Sequence, residues 1–397
     1  MPSLLLEPHY IETSKRICAS NSRYILALQD STLLNYTNHK AKTSVGRIGK
    51  SNNKEQYGLI QHSTLCVTDA NEALGLMDLQ HFHYDDVESS RHHHHRCIEE
   101  KLNYCWIKAL KLMRKRLNAP SVRIITVGDR GGDFFEFIHE FIEHSEEFVI
   151  RSCHNRYSGT THRERKEKIW DILEQSPDRG SYSTLIQDAS SRQFKEVEFR
   201  FKACQVTIPV PNKSKEEKQQ ASYKPITVNL MKAYNEEHSW ILLTSLPIET
   251  AADLEEIITI YRARWHIEDY HKILKTAYQV EEIYLHSSRT AIENLLVLVS
   301  ISACRLYWLI FLGRAEPSLK ANTVFDLFEW KSLYVYFQEE IPDQPPPLQE
   351  IIFKIARLGG YKHGKNAKPP GIKTMWIGLQ KFQVAAQMYK QTLSTKT

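Results

Sequence analysis

Apolar and polar positions follow two different periods along this chain. Between residues 24 and 151, compact apolar runs bounded by polar turns predict strands, and apolar residues at helical spacing predict helices. The predicted elements are, in order, strands at 24–29, 58–68 and 73–84, a helix at 97–117, a strand at 122–127, a helix at 134–142 and a strand at 148–151. This order predicts a mixed α/β sheet.

The pattern changes in the second half of the chain. Short alternating runs joined by polar loops predict a β-rich segment from about residue 153 to residue 245, with strands at 196–207, 225–233 and 240–244. Residues 254–278 contain neither Gly nor Pro and predict one continuous helix. Beyond residue 312 the pattern is helical in pieces. The last piece carries an apolar stripe made of Ile372, Met375, Trp376, Leu379, Phe382 and Ala386. Such a stripe is either core or a partner interface, and the sequence leaves both open.

The composition is that of a globular protein. The 397 residues are 42% hydrophobic and 25% charged, enough for two or three domains with a real core. The seven cysteines include no Cys-x2-Cys pair and predict reduced thiols. There is no secretory signal, and the apolar run 295–312 is interrupted by Arg305, which favours a buried core helix over a membrane span. We therefore expect a cytoplasmic protein without a membrane partner.

The charge is unevenly distributed. The net charge is +5, but residues 151–232 alone hold 16 Lys or Arg against 10 Asp or Glu, so this segment accounts for the whole excess. A local basic patch is the usual electrostatic signature of a protein that binds a polyanion such as nucleic acid.

Four side chains with polar or charged groups lie on one face of the predicted helix at 254–278. At about 100° per residue, Tyr261, Arg264, Glu268 and Lys275 fall within an arc of roughly 60°. The carboxylate can bind a hard cation, and the two cations and the phenol suit a phosphate backbone. The alternative interpretation is a solvated charged face.

Two aspartates follow apolar strand runs directly, at Asp30 and Asp129. Ligands of α/β sheets bind at strand ends, so these carboxylates and Glu268 could converge through the fold. Carboxylates without His or Cys favour Mg²⁺ or Mn²⁺, and two such ions would serve phosphoryl transfer. A single Asp at a strand end is more often a turn residue. The nearest rival acids are Asp69, Asp133 and Asp269.

Histidines cluster between residues 81 and 95. His81, His83 and the run 92–95 could together bind Ni²⁺ or Zn²⁺. Four consecutive histidines cannot all face one ion on a regular element, so an exposed loop is the favoured interpretation.

The spacing Tyr-x2-Arg-x3-Glu-x6-Lys, from Tyr261 to Lys275, resembles the signature of DDE transposases of the insertion-sequence-four family, in the branch of the Tn-five transposase. The runs 25–32 and 127–133 are similar to the first-acid and second-acid motifs of that family, and 355–361 is similar to a motif of its C-terminal dimerisation region. The second motif departs from the family at Gly131 and Gly132, where bulkier residues are usual, and we expect a looser helix start there.

The resemblance implies an RNase H-like catalytic core with a β-rich insertion and an α-helical C-terminal dimerisation region. Ahead of the first strand the chain departs from the family, which has an end-recognition domain there, and we expect only a short N-terminal extension at 1–23. The resemblance divides the rest into core residues 24–152, the insertion 153–248, core residues 249–312 and the dimerisation region 313–397.

The resemblance also implies roles for individual residues. Asp30, Asp129 and Glu268 would be the catalytic acids that hold two Mg²⁺ or Mn²⁺ ions. The residues expected to contact DNA are Arg151, Trp240, Tyr261, Arg264 and Lys275, with Trp240 stacking on a base.

The implied activity is metal-dependent cut-and-paste transposition of an insertion sequence. It would proceed by water attack, a hairpin end and strand transfer, in a homodimer associated with bacterial DNA. The alternatives are a truncated, non-catalytic inhibitor of a full-length transposase and a general RNase H-like nuclease. Mg²⁺-dependent cleavage and dependence on the end sequence separate the three.

Overall fold

The computed structural model describes residues 2–39, 45–86, 97–117, 121–161, 167–187, 194–211, 223–283, 288–362, 364 and 369–394. The histidine run at 92–95 and the polar linker at 212–220 lie outside the described residues. The chain divides into two compact units. One unit is Glu7–Glu268, and the other combines Met1–Leu6 with Asp269–Thr397.

A single sheet organises the unit Glu7–Glu268. Its strands are β1 (Ile25–Asn35), β2 (Gly46–Ser51), β3 (Lys54–Thr68), β4 (Ala73–Phe82), β5 (Ile124–Gly128), β6 (Glu147–Arg151), β7 (Asp178–Gln187), β8 (Phe194–Ile208), β9 (Ile226–Tyr234) and β10 (Ser239–Thr244). Within the described residues they follow the order β2-β3-β1-β5-β6-β10-β9-β8-β7, with β4 paired to β3. Strands β1, β5 and β6 are parallel, and the other pairs are antiparallel. The predicted mixed α/β sheet is confirmed.

The β-rich segment continues this sheet. Strand β10 pairs antiparallel with β6, through Leu242 opposite Arg151, and β9, β8 and β7 follow outward from β10. The sequence pattern missed β2 and β7. Both strands lie at an end of the strand order.

Helices α2 (Tyr104–Leu117) and α3 (Phe135–Glu143) build the main core with the central strands. Their apolar faces form one buried cluster with residues of β1, β5, β6 and β10, including Trp106, Phe137, Phe148 and Leu243. Helix α4 (Ile169–Gln175) joins the same cluster through Leu173. All seven cysteines lie in the described residues and are free thiols, as predicted.

The first residues form a helix. The segment predicted only as a short extension contains α1 (Pro2–Ala19), whose residues Tyr10 and Ile17 are buried. The His9 Nε2 atom accepts a hydrogen bond of 3.1 Å from the Leu76 N–H of β4. The sequence did not predict this packing, because α1 has a mixed, polar composition and its apolar residues become buried only in the folded protein.

The predicted helix at 254–278 is two helices, so the prediction of one continuous helix was wrong. Helix α5 (Ala251–Arg262) begins with a capping box between Thr250 and Asp253, and α6 (Trp265–Thr276) follows after a tight turn. In that turn the Arg264 N–H donates to the Tyr261 carbonyl, three residues back, at 3.1 Å. Three residues therefore complete one turn, and the 100° arithmetic fails across it.

The unit that contains Asp269–Thr397 is helical in its described residues. Its longer helices are α7 (Arg289–Ala315), α8 (Leu327–Phe337), α9 (Leu348–Leu358) and α10 (Ile372–Ser394). By length and composition α7 could cross a membrane, with a mean hydropathy of 2.2 in its most apolar window, but 56% of that window is buried inside the protein. That burial fits the core helix predicted for 295–312.

Most of the apolar stripe on α10 lies in the core, while Ile372 and Trp376 are half-buried. Met375, Leu379, Phe382 and Ala386 are buried, and the Phe382 ring lies 5.4 Å from that of Phe325. Helices α9 and α10 approach each other closely through two glycines. A Cβ on Gly359 would lie 2.0 Å from the Thr374 oxygen, and one on Gly378 would lie 2.0 Å from the Ile355 oxygen.

Candidate active site

Asp30 and Asp129 stand next to each other on parallel strands. The pairing of β1 with β5 ends at Gln29 opposite Gly128, so these aspartates are the next residue on each strand. Neighbouring strands lie ~4.8 Å apart. The prediction that the first strand ends before Asp30 was wrong, because β3 continues to pair with β1 up to Asn35 after β5 has turned away.

Each aspartate is oriented by its own loop or strand. The Oδ1 atom of Asp30 accepts a hydrogen bond of 2.7 Å from the Ser31 N–H, and Oδ1 of Asp129 accepts one of 2.7 Å from the Gly131 N–H. These bonds use one oxygen of each carboxylate. The second oxygen of each has no hydrogen-bond partner among the described residues, which leaves it available to a ligand.

Arg264 links Glu268 to Asp30. The Arg264 Nη1 atom lies 2.5 Å from Oε1 of Glu268 and 3.9 Å from Oδ2 of Asp30. The two carboxylates can be no farther apart than the sum of these distances. Arg264 is buried, and in the described part of the chain its Nε has no hydrogen-bond partner.

The electrostatics show a deficit of positive charge. Burial, followed by the charge of Asp129 and, to a smaller extent, that of Glu268, raises the pKa of Asp30 to about 7. The Ser31 N–H and the Arg264 guanidinium act in the opposite direction and are weaker than burial and Asp129 together. A hard divalent cation would compensate the three carboxylates, and an all-oxygen donor set without His or Cys suits Mg²⁺ or Mn²⁺.

Tyr261 lies beside two arginines. Its side chain is buried, burial raises the pKa of its phenol, and the positive charges of Arg264 and Arg151 partly offset that rise. The hydroxyl is buried and faces both guanidinium groups, which can donate to its oxygen but cannot accept its proton. The guanidinium carbon of Arg264 lies 5.7 Å from the Tyr261 ring and 5.2 Å from the ring of Trp265, which is 59% exposed.

Trp240 on β10 extends this region with aromatic surface. Its ring stacks on Phe199 at 5.2 Å and an interplanar angle of 19°, and lies 6.5 Å from the Tyr261 ring. Trp240 is half-buried, so it is not simply a core residue. His238 stacks with it at 6.4 Å.

The structure thus brings together, within the unit Glu7–Glu268, seven of the eight residues that the resemblance assigned to catalysis, metal binding or DNA contact. They are Asp30, Asp129, Arg151, Trp240, Tyr261, Arg264 and Glu268. Lys275 lies on α6 beyond the unit boundary, where its ammonium is 3.8 Å from Glu281.

The rival acids have other partners or positions. Asp133 is completely buried and accepts from Arg156 Nη1 at 2.5 Å and from the Cys153 N–H at 2.6 Å, which makes it a structural acid. Asp69 pairs with Arg23 at 3.2 Å, at the end of β1 opposite to Asp30. Asp269 is half-buried on α6 and belongs to the other unit.

A second cluster of acidic residues is already neutralised by ion pairs. In the described residues the only group with potential metal ligands within 4.8 Å of one another is Glu140, Glu143 and His144. Glu140 already pairs with Arg114 at 3.1 Å and Lys111 at 3.5 Å, so its charge is compensated. The sequence analysis did not single out this ion-pair network.

A group of polar residues behind Asp30 was not predicted from the sequence. Gln61, His62, Ser63 and Thr64 are all completely buried in the middle of β3. Their signal in the sequence was a run of four polar residues inside a strand pattern. Burial lowers the pKa of His62 to about 3, so its imidazole is neutral.

Two family models match the chain. Residues 22–304 match the model described as transposase DDE domain, and residues 301–395 match the model described as transposase Tn5 dimerisation domain. The first match covers well over half of the chain, which therefore belongs to the DDE transposase domain family. Membership implies an enzyme of DNA transposition that uses divalent metal, with DNA as its substrate and a homodimer formed through the C-terminal region.

Proposed function

We propose that this transposase cleaves and joins DNA strands in a metal-dependent, cut-and-paste reaction, as a member of the insertion-sequence-four family in its Tn-five-like branch. The observation that carries the proposal is the position of Asp30, which lies beside Asp129 at the end of β5 and shares the Arg264 guanidinium with Glu268. These three carboxylates would hold two Mg²⁺ or Mn²⁺ ions. Such ions, when bound, activate water and stabilise the leaving oxygen of phosphoryl transfer.

The neighbouring side chains would bind and orient the DNA. The buried Tyr261 hydroxyl and Arg264 Nε need an acceptor, and a phosphate oxygen supplies one. Arg151 adds positive charge beside Tyr261, and Trp240 offers a ring for base stacking. Lys275 would contact the backbone as a further cation, by the resemblance of its spacing.

The proposed domains follow the sequence boundaries. Residues 24–152 and 249–312 would form the RNase H-like core, 153–248 the β-rich insertion, and 313–397 the dimerisation region. The continuation of the central sheet through β10 to β7 supports an insertion that grows from the core sheet. The basic excess of residues 151–232 supports a DNA-facing role for it. The protein would act inside the cell, associated with DNA.

The test is the variant Glu268→Gln, which keeps the size of the side chain and removes its charge. We expect loss of Mg²⁺-dependent cleavage of a duplex carrying the flanking DNA of the gene, with the affinity for that duplex within about threefold of wild type. The matched control is Glu256→Gln, because Glu256 pairs with Arg23 at 3.4 Å on the neighbouring helix α5.

Undiminished cleavage by Glu268→Gln would show that Glu268 is not a ligand. Wild-type protein that binds the duplex but never cleaves it would favour a non-catalytic regulator. Cleavage without any preference for the flanking sequence would favour a general nuclease.

A further inference from the structure

His62 forms hydrogen bonds with Gln29 and Ser31, the residues immediately before and after Asp30. Its Nδ1 atom lies 2.8 Å from the Ser31 hydroxyl, and its Nε2 atom lies 3.3 Å from Oε1 of Gln29. The imidazole is completely buried, and burial of polar groups costs free energy unless they are hydrogen-bonded. These two bonds satisfy both ring nitrogens.

The bonds act on Asp30 from the opposite face of the sheet. Side chains alternate along β1, so Gln29 and Ser31 point to one face and Asp30 to the other. The Gln29 carbonyl oxygen only accepts, so Nε2 of His62 carries the proton, and Nδ1 accepts from Ser31. One ring thus ties residues on both sides of Asp30 and limits rotation of the strand about its own axis.

The same arrangement reaches Asp129 through Trp106 of α2. The Trp106 ring lies 4.8 Å from the His62 ring and extends under the end of β5. A Cβ on Gly128 would lie 3.1 Å from Trp106 Cζ3, and one on Gly131 would lie 3.0 Å from Cζ2. These glycines flank Asp129. The small residue at 131, expected from the family comparison to loosen this turn, instead leaves room for the indole.

We propose that His62 and Trp106 form a positioning pair that fixes the directions of Asp30 and Asp129 from behind the sheet. The proposal rests on the proposed metal site, because its consequence is metal affinity. Ligand carboxylates must be held to about 0.5 Å, and the loss of residues that orient ligands typically weakens metal binding by about 10–100-fold.

The experiment measures Mn²⁺ binding without turnover, by electron paramagnetic resonance of free Mn²⁺ during titration of the full chain. We expect His62→Ala to raise the dissociation constant at least about tenfold. Its affinity for duplex DNA in EDTA should stay within about twofold of wild type, because the pair touches none of the proposed DNA contacts. In cleavage assays the half-saturating Mg²⁺ concentration should rise by a similar factor.

The matched control is His9→Ala. His9 is a half-buried imidazole outside the site, and it accepts from the Leu76 N–H of β4 instead of contacting a neighbour of either aspartate. Its loss should leave Mn²⁺ affinity within about twofold of wild type. A tenfold loss in this control as well would overturn the proposal, since general loosening of the fold would then explain both results.

Ser31→Ala provides a second test that does not require a cavity of imidazole size. It removes only the hydroxyl that His62 accepts from, and we expect a threefold or larger loss of Mn²⁺ affinity. The double variant His62→Ala, Ser31→Ala should lose no more than His62→Ala alone, because the two act through one bond.

Folded His62→Ala that binds Mn²⁺ within twofold of wild type would overturn the proposal. If that variant does not fold, unchanged affinity of Ser31→Ala has the same meaning. Wild-type protein that binds no Mn²⁺ would overturn the metal site itself, and this proposal with it.

Discussion

Arg264 and Glu268 form a short ion pair, with 2.5 Å between Nη1 and Oε1. The same nitrogen lies 3.9 Å from Asp30, so one guanidinium serves two carboxylates. The Arg264 side chain is only 9% exposed, and screening by water is therefore weak. One buried cation among three acids leaves an excess of negative charge. This excess leads to the first prediction.

Asp30→Asn should stabilise the metal-free protein, and more so at higher pH. Folding raises the pKa of Asp30 from 3.8 to about 7, so the folded state is favoured when this carboxyl is protonated. The stability that depends on this proton is complete below about pH 4 and is lost as the pH rises through about 7. At ~1.36 kcal/mol per pKa unit, the variant should gain about 2 kcal/mol more at about pH 8 than at about pH 5.5. Urea unfolding in EDTA at both pH values measures the gain.

The control for this prediction is Asp69→Asn, because Asp69 forms a surface pair with Arg23. Exposed pairs contribute ~0–1 kcal/mol, so we expect a small effect that is similar at both pH values. A stabilisation by Asp30→Asn that does not grow with pH would contradict the assigned charge deficit.

Arg264→Ala combined with Lys275→Ala should reduce the salt dependence of DNA binding. Each lost phosphate contact lowers the slope of log affinity against log salt by about 0.9, so the double variant should lose about 1.8. Fluorescence anisotropy at several salt concentrations measures the slope. Arg47→Ala is the control, because Arg47 is an exposed arginine that pairs with Asp85 at 2.6 Å. Equal slopes for wild type and the double variant would exclude these contacts.

The solvent-exposed face of α10 should form the homodimer interface. Val384 is 59% exposed and Met388 is 63% exposed, one turn apart, whereas Phe382 is buried in the core. Val384→Glu with Met388→Glu should weaken self-association at least about tenfold, since charged groups lose hydration when buried at an interface. Sedimentation of the variant should show a monomer at concentrations where wild type is dimeric.

The matched control for this prediction is Gln383→Glu with Gln387→Glu, which adds the same charge at the same spacing on α10. Glu is a good helix former, so far-ultraviolet circular dichroism should be unchanged in both double variants. A Val384, Met388 variant that remains dimeric would place the interface on another surface.

The local pattern was sufficient for much of the fold. Compact apolar runs predicted the central strands, and Asp30 and Asp129 were candidates because each directly follows such a run and ligands of α/β sheets bind at strand ends. Arg264 and Glu268, four residues apart, still pair despite the helix break, because Arg264 immediately precedes α6 and Glu268 lies in its first turn. These features depend on residues close in sequence, so the periodicity of apolar and polar residues predicts them.

Tertiary structure alone decided other features. Helix α1 becomes buried only through β4, and the tight turn before α6 places Arg264 between Asp30 and Glu268. His62 reaches Gln29 and Ser31 across more than thirty residues of chain, within a register set by the β1–β3 pairing. Strand register and buried hydrogen bonds arise from contacts between segments distant in sequence, so the pattern of neighbouring residues cannot predict them.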